Sequence, residues 1–162
     1  MDKILSLLNN DARLSTAEIA KIAGISEAEA AAAIKAYEEN NTIIGYKTII
    51  DWDKVDHTEE MVTAFIEVKT TPQKDIGFDE IAQKIASCPE VESVYLMSGG
   101  FDLSVIVSGR SLREISRFVS EHLASIEAVQ STSTHFILKK YKEQGVDFAA
   151  TSKDEREVLF SW

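Results

Sequence analysis

The residues of this chain best suited to chemistry lie in the run MSGGFDLSV, residues 97–105. Gly99 and Gly100 permit positive φ and leave backbone amides open to a closely approaching ligand, and Asp102 supplies a carboxylate just past the pair. Open amides for a carboxylate, and a carboxylate for an ammonium, would together suit a free amino acid. The same residues also read as a plain hairpin turn with a solvated acid. Little else in the chain is reactive. His57, His122 and His135 are far apart, and no H-x-x-x-H, C-x-x-C or phosphate-binding glycine pattern occurs. The sequence therefore predicts no catalytic group, no metal site and no cofactor, and each histidine reads as structural. The single cysteine, Cys88, excludes an intrachain disulfide; it precedes Pro89 with no basic residue beside it, and also reads as structural.

The elements that must position this run follow from periodicity. From Met61 the pattern alternates: Val62, Ala64, Ile66 and Val68 share one face of a strand that Thr70, Thr71 and Pro72 end. Phe78, Ile81, Ala82 and Ile85 then mark a helix. Residues 91–97 and 103–107 are two strands of a hairpin around Gly99-Gly100. Ser111 and Glu114 form a capping box that opens a helix carrying Leu112, Ile115, Phe118, Val119 and Leu123, and residues 130–141 are the last strand. The order βαββαβ is the split βαβ of ferredoxin-like folds, four antiparallel strands backed by two helices on one face. The other face needs cover, and a second copy of the sheet is what so short a chain can offer, so a homodimer is expected.

The first fifty residues are organised differently. Ser15 with Glu18 is a capping box, the serine taking a free amide at the helix start and the carboxylate returning to the cap amide. Ile19, Ala20, Ile22 and Ala23 follow at helical spacing, and Gly24 supplies the left-handed residue that ends the helix. Ile25 is expected to drop into the core behind the turn. A second box, Ser26 with Glu29, opens a helix whose Ala30, Ile34 and Tyr37 form one buried stripe, with Asn41 as its stop. Ile4, Leu5 and Leu8 form an amphipathic turn upstream, and the β-branched residues 43–50 read as an exit strand. Two capped helices around a tight turn make a helix-turn-helix.

The stretch DKILSLLNNDARLSTAEIAKIAGIS, the helix after it and then TIIGYKTIID resemble the winged DNA-binding half of the Lrp/AsnC family of prokaryotic transcriptional regulators, and the βαββαβ half resembles that family's effector-binding domain. The similarity in element order runs from about residue 1 to 142. It implies a DNA interface on residues 26–40 and its flanks, at Ser26, Glu27, Ala31, Ala32 and Lys35 with Arg13, Lys21 and Lys47 as phosphate contacts. It also implies an amino-acid effector site between dimers at the G-x-x-D segment, here Gly99, Gly100 and Asp102, with Thr132 and Thr134 of the last strand as weaker candidates. Dimers of the family often assemble into tetramers, octamers or larger rings. One departure stands out: Ala31, Ala32, Ala33 and Ala36 occupy positions where the family carries polar or basic residues, and only Lys35 keeps its charge. Alanine can touch a thymine methyl but makes no bidentate base contact.

Bulk properties bound the reading. The 162 residues carry a formal net charge of −10, with five Lys/Arg against seven Asp/Glu in residues 1–50 and twelve against twenty in the rest, so neither part is basic. Phosphate contacts supply most non-specific DNA affinity, and local placement of cations must therefore decide. No apolar run approaches the roughly 18 residues of a membrane span, and Asp2 follows Met1 where a leader would be basic, so a cytoplasmic protein is expected. The expected architecture is α+β: a winged helix-turn-helix (1–50), an acidic linker (51–60), a ferredoxin-like ligand-binding and oligomerisation domain (61–142) and a tail (143–162) whose Val158, Leu159, Phe160 and Trp162 are expected to dock on a neighbouring surface. The function it implies is a homo-oligomeric transcriptional regulator that binds DNA and responds to an amino acid or related metabolite, not an enzyme. Its rival is a metabolite-binding or interaction module whose helix-turn-helix no longer grips DNA. An enzyme stands third, since siroheme decarboxylases also resemble such chains, but no residue here marks a tetrapyrrole site.

Overall fold

The computed structural model describes residues 2–55, 61–71 and 77–148, and the chain divides into two compact units, Met1–Ile50 and Asp51–Trp162. Unit 1 holds three helices: α1 (Lys3–Asn10), α2 (Thr16–Ala23) and α3 (Glu27–Glu39). Asp2 caps α1 by accepting from the amides of Ile4 and Leu5, a role that periodicity alone did not flag. Its carboxyl is held below its ordinary pKa by the Leu5 amide first and the Tyr37 hydroxyl next, which ties the chain start to α3. Ile4, Ile19, Ala20 and Ala30 form the core, with Leu8, Ile34 and Tyr37 against it. Gly24 ends α2 at φ 80° and Asn41 takes φ 59° after α3, as the sequence predicts for both.

Three expectations for unit 1 change. Ile25 does not reach the core, and Ile22 is exposed beside it. Ala33 packs against the core rather than facing solvent. The exit segment forms no strand. Ile44 is 93% exposed, and the segment is tethered instead by the Ile43 amide on the Tyr37 carbonyl (2.9 Å) and the Tyr46 hydroxyl on Glu38 Oε1 (2.9 Å). β-branched composition supplies only propensity; a strand also needs a partner to pair with, and the described residues of unit 1 offer none.

Unit 2 begins with a 3₁₀ turn, Trp52–Lys54. It then contains β1 (Val62–Thr70), α4 (Phe78–Ala86), β2 (Val91–Leu96), β3 (Leu103–Gly109), α5 (Leu112–Phe118), a π-helical turn (Val119–Leu123) and β4 (Val129–Phe136). The sheet order is β2-β3-β1-β4 and every pairing is antiparallel, which is the βαββαβ arrangement. Alternation sets its faces. Ala64, Ile66 and Val68 of β1 and Leu103, Val105 and Val107 of β3 are buried beneath Ile81, Ile85, Ile115 and Phe118 of the helices. Each such Val, Leu, Ile or Phe side chain contributes about 1.5–3 kcal/mol when fully buried. Gly109 lets α5 approach β3: a Cβ there would sit 3.3 Å from both Glu114 Oε2 and Ile115 Cγ1.

The opposite face carries Phe65 and Ile106 as register partners, with Glu67, Ser104, Ser133 and His135 around them. No element of the described residues covers that face. Two boundaries differ from expectation. The Ser111 box is half formed, because Glu114 Oε2 accepts from the Arg110 amide (2.7 Å) and not from the cap residue. The last strand stops at Phe136, and a two-residue hairpin follows, β5 (Lys142–Glu143) and β6 (Val146–Asp147), turned by Gln144 (φ 47°) and Gly145 (φ 87°). The strand end expected at Pro72, the linker residues 56–60 with His57, and the apolar tail residues 158–162 lie outside the described residues.

Candidate functional sites

Local chemistry fixes the helix-turn-helix closely. At the start of α2 the Ser15 amide donates to Glu18 Oε2 (2.8 Å) and the Glu18 amide to Ser15 Oγ (3.3 Å); at α3 the same pair of bonds joins Ser26 and Glu29 at 2.8 and 3.2 Å. Both glutamates sit below their ordinary pKa, through the serine hydroxyl first and the cap amide second. Ser26 and the Glu29 carboxylate are therefore occupied by capping. The exposed face of α3 is opposite Ala30, Ile34 and Tyr37, and presents Ala28, Ala32, Lys35 and Glu39 at spacings of four, three and four, with Ala31 beside them. The one cation on that face is already engaged, since Lys35 Nζ lies 3.6 Å from Glu39 Oε1. Glu27 is exposed in the first turn. Arg13 follows α1, Lys21 lies on α2 and Lys47 in the exit segment, all three exposed.

In unit 2, residues 97–102 join β2 to β3. The Met97 amide donates to the Asp102 carbonyl (2.8 Å), which closes the loop. Neither Gly99 nor Gly100 adopts a positive φ, so the turn does not use the freedom expected of them. Their value is space: a Cβ on either would meet nothing within 4 Å. Asp102 is busier than its sequence neighbours suggest. Its amide donates to the Val68 carbonyl (3.1 Å), and its Oδ2 accepts from the Thr70 amide (2.7 Å) and hydroxyl (3.3 Å). That clamp sits where the register of β1 on β4 shifts, between Lys69 and Thr70. Oδ1 has no partner among the described residues. Phe101 meets Phe65 edge-on, centroids 6.1 Å apart, so the loop also touches the uncovered face of the sheet. Thr132 and Thr134 are register partners of Val68 and Ile66, and so share the face of the core, half-buried. Thr132 is the nearer of the two to the Asp102 end.

His135, His122 and Cys88 make contacts of a structural kind. His135 Nε2 is 3.4 Å from Glu67 Oε1, and His122 stacks on Phe118 at 5.4 Å. Burial first, and Glu90 next, push the Cys88 thiol above its ordinary pKa, away from the reactive thiolate. Among the described residues no group of His, Cys, Asp and Glu could hold a metal ion, and no helix is long and apolar enough to cross a membrane.

Comparison with known proteins matches each unit separately. Residues 2–38 match the AsnC-type helix-turn-helix domain and residues 63–147 the Lrp/AsnC ligand binding domain. The HTH-type transcriptional regulator YugG of Bacillus subtilis (strain 168), itself uncharacterized, is 48% identical over 157 residues, 97% of this chain and 94% of that protein. The proline dehydrogenase transcriptional activator of Rhizobium radiobacter is 28% identical over 146 residues, 89% of this chain and 90% of its own. Among solved structures, the transcriptional regulator NMB0573 of Neisseria meningitidis, in complex with L-Met, superposes with a TM-score of 0.69 at 26% identity, over 87% of this chain and 89% of that one.

Proposed function

The chain belongs to the Lrp/AsnC family of helix-turn-helix transcriptional regulators, and from that membership we propose a cytoplasmic, homo-oligomeric regulator whose α3 docks on DNA and whose 97–102 loop binds a free amino acid. The observation that supports the effector half is Asp102: one carboxylate oxygen is clamped on Thr70 while the other has no partner among the described residues, and the glycine pair two and three residues earlier leaves open space where side chains would be. In this reading Oδ1 takes an ammonium and the Gly99 and Gly100 amides of the same loop take a carboxylate. The L-Met bound to the Neisseria relative makes L-methionine the first probe.

The uncovered sheet face supports the dimer. Phe65 and Ile106 form an apolar centre, Phe101 leans on it, and Glu67, His135 and the serines surround it, the pattern of an apolar core with a polar rim. The DNA half draws on Lys35 as the central cation of α3, with Arg13, Lys21 and Lys47 as flanking phosphate contacts. Ala31 and Ala32 would lie against the groove floor, where they suit thymine methyls. Ser26 and Glu29 serve the helix cap in this reading. Thr132 contributes to the effector end from beneath the loop, and Thr134 stays in the core.

One observation favours the alternative, a metabolite-binding module without DNA affinity: the sole cation of the α3 face has Glu39 3.6 Å away, an exposed carboxylate that weakens the positive field this face offers a phosphate. A salt titration of DNA binding by the full chain, with and without a mixture of free amino acids, separates the two. Binding at low salt that changes with amino acids supports the regulator. Failure to bind DNA of any length at low salt overturns it in favour of the module.

A further inference from the structure

The uncovered sheet face of unit 2 carries an ionisable pair that a dimer through this face would bury. His135 Nε2 on β4 lies 3.4 Å from Glu67 Oε1 on β1, and the imidazole centroid is 6.0 Å from that of Phe65, its register partner. Both side chains still meet water in one chain, His135 at 54% exposure and Glu67 at 36%. Alternation and register place the other titratable groups of the face. β1 adds Lys69, two residues beyond Glu67, and β2 adds Tyr95 opposite Ser104, with Glu92 in the bulge at the far edge. β3, between them, presents Ser104, Ile106 and Ser108, none of them ionisable. Beyond the end of β4, Lys139 rests over the Tyr141 ring. Lys69 is exposed, and the ion pair that Glu67 makes is with His135 rather than with Lys69. The face thus holds little net charge in a chain of −10. A second copy carrying the same −10 meets less repulsion here than an acidic face would give it, which favours the chain itself as the occupant.

We propose that the Glu67–His135 pair makes dimer assembly pH-dependent, the dimer binding protons at His135 and tightening as the medium turns from mildly basic to mildly acidic. The inference rests on the dimer reading and adds its regulation. An exposed ion pair contributes little, because water solvates both partners. Covering the pair strips that water, and the result then depends on the imidazole proton. With His135 neutral, Glu67 enters the interface as a lone charge, the costlier arrangement. With His135 protonated a neutral pair enters, and its attraction grows as the local dielectric falls. Imidazole is the side chain that ordinarily changes charge between about pH 5 and 8, so the choice falls in the physiological range. Lys69, with its long stem near the end of β1, keeps its ammonium in water and leaves the compensation of Glu67 to His135. The sign follows: a dimer that binds more protons than its separated subunits is favoured as pH falls, by up to about tenfold in dissociation constant per pH unit for each proton, with one site on each subunit.

The test follows the dimer dissociation constant of the full chain by sedimentation of a fluorescently labelled sample on dilution, between about pH 8 and 6 at about 150 mM salt. Wild type is compared with His135→Gln and Glu67→Gln; a dimer too tight to dilute is compared with Ile106→Ala added to all three. His135→Gln corrects for the general loss of negative charge on acidification. Relative to it, wild type should tighten about fivefold or more over this range. Glu67→Gln leaves an imidazole without its carboxylate, so on the same scale it should weaken as pH falls, a lone imidazolium now being the buried charge. Wild type running parallel to His135→Gln, or loosening against it, overturns the proposal. So does Glu67→Gln that keeps the wild-type slope, because proton uptake would then not need the pair. Ile106→Glu separates the two failures. If it yields a folded monomer while wild type and His135→Gln run parallel, the face is the interface and only the role of the pair is rejected; if its mass is unchanged, the dimer reading falls first and this one with it.

Discussion

Asp102 holds Thr70 through one oxygen and, in the proposed function, an effector ammonium through the other, and two substitutions should separate these roles. Asp102→Ala deletes the acceptor for the Thr70 amide at 2.7 Å, and Thr70 is only 6% exposed, so water cannot fully replace that hydrogen bond. A buried donor left unsatisfied costs about 1–3 kcal/mol, and a charged acceptor lies toward the upper end. For a domain of this size that lowers the unfolding midpoint by roughly 5–15 °C. Asp102→Asn keeps an oxygen for Thr70 and should stay within about 1 kcal/mol of wild type, since it exchanges a charged hydrogen bond for a neutral one. It removes the negative charge that an ammonium needs and offers an NH₂ in its place. Affinity for the tightest-binding of the twenty amino acids should therefore fall about tenfold to a few hundredfold, the equivalent of 1.5–3 kcal/mol for a charged hydrogen bond. Differential scanning calorimetry reads the first effect and titration calorimetry the second. The reasoning fails if Asp102→Ala unfolds at the wild-type temperature, and the effector assignment fails if Asp102→Asn binds as tightly as wild type.

Further outcomes follow from the same contacts. Ala32→Arg, on the exposed face of α3, should strengthen non-specific DNA binding and steepen its salt dependence by about 0.9 per new phosphate contact, whereas Ala33→Arg should destabilise unit 1 because Ala33 packs on its core; anisotropy and thermal melts distinguish them. Ile106→Glu places a charge opposite Phe65 at the centre of the uncovered sheet face and should shift the protein to a folded monomer in light scattering; an unchanged mass would locate the dimer elsewhere. The depressed Glu18 and Glu29 make both caps acid-sensitive: a carboxylate whose pKa falls on folding stabilises fully above its unfolded value, near 4.5, and loses that contribution as pH drops through the folded one. Carboxyl NMR titration should place both midpoints below 4.5, and Glu29→Gln, which retains the box without the charge, should remove the acid dependence at α3.

What could be read in advance was whatever depends on residues close in sequence. Both capping boxes in unit 1, the left-handed Gly24 and Asn41, and the order βαββαβ are local grammar: a serine three residues before a glutamate, a glycine at a helix end, a change of period from 3.6 to 2. The misreadings share one cause, a partner that the local pattern does not name. Residues 43–50 have the composition of a strand, but the described residues of unit 1 include no second strand to pair with them. The third capping box needed Glu114 to turn to Ser111, and the Arg110 amide one residue further back took its carboxylate. Ala33 and Ala36 look alike in an alanine run, and only the direction of the helix against Ile19 and Ala20 makes one of them core and leaves the other in solvent.

The loop of residues 97–102 shows the same division at the level of chemistry. Residue types and spacing pick out Gly99, Gly100 and Asp102 as a set, but the glycines' contribution is open space rather than unusual φ, and Asp102's main partner lies 32 residues earlier in the chain, at Thr70. Nothing in MSGGFDLSV announces that clamp, because it depends on the register of β1 against β3, which sets Val68 opposite Leu103 and so brings the end of β1 beside the start of β3. The clamp changes what the aspartate can do. A carboxylate tethered through Oδ2 has already given up the rotational freedom that a solvated acid must surrender on binding, so Oδ1 meets a ligand at a smaller entropic cost. The loop is held from a second side by Phe101 against Phe65, on the face that the dimer would cover. A ligand that shifted this loop would therefore disturb the Phe101–Phe65 contact on that face, and its influence on assembly would be limited to the difference in its affinity for the two arrangements.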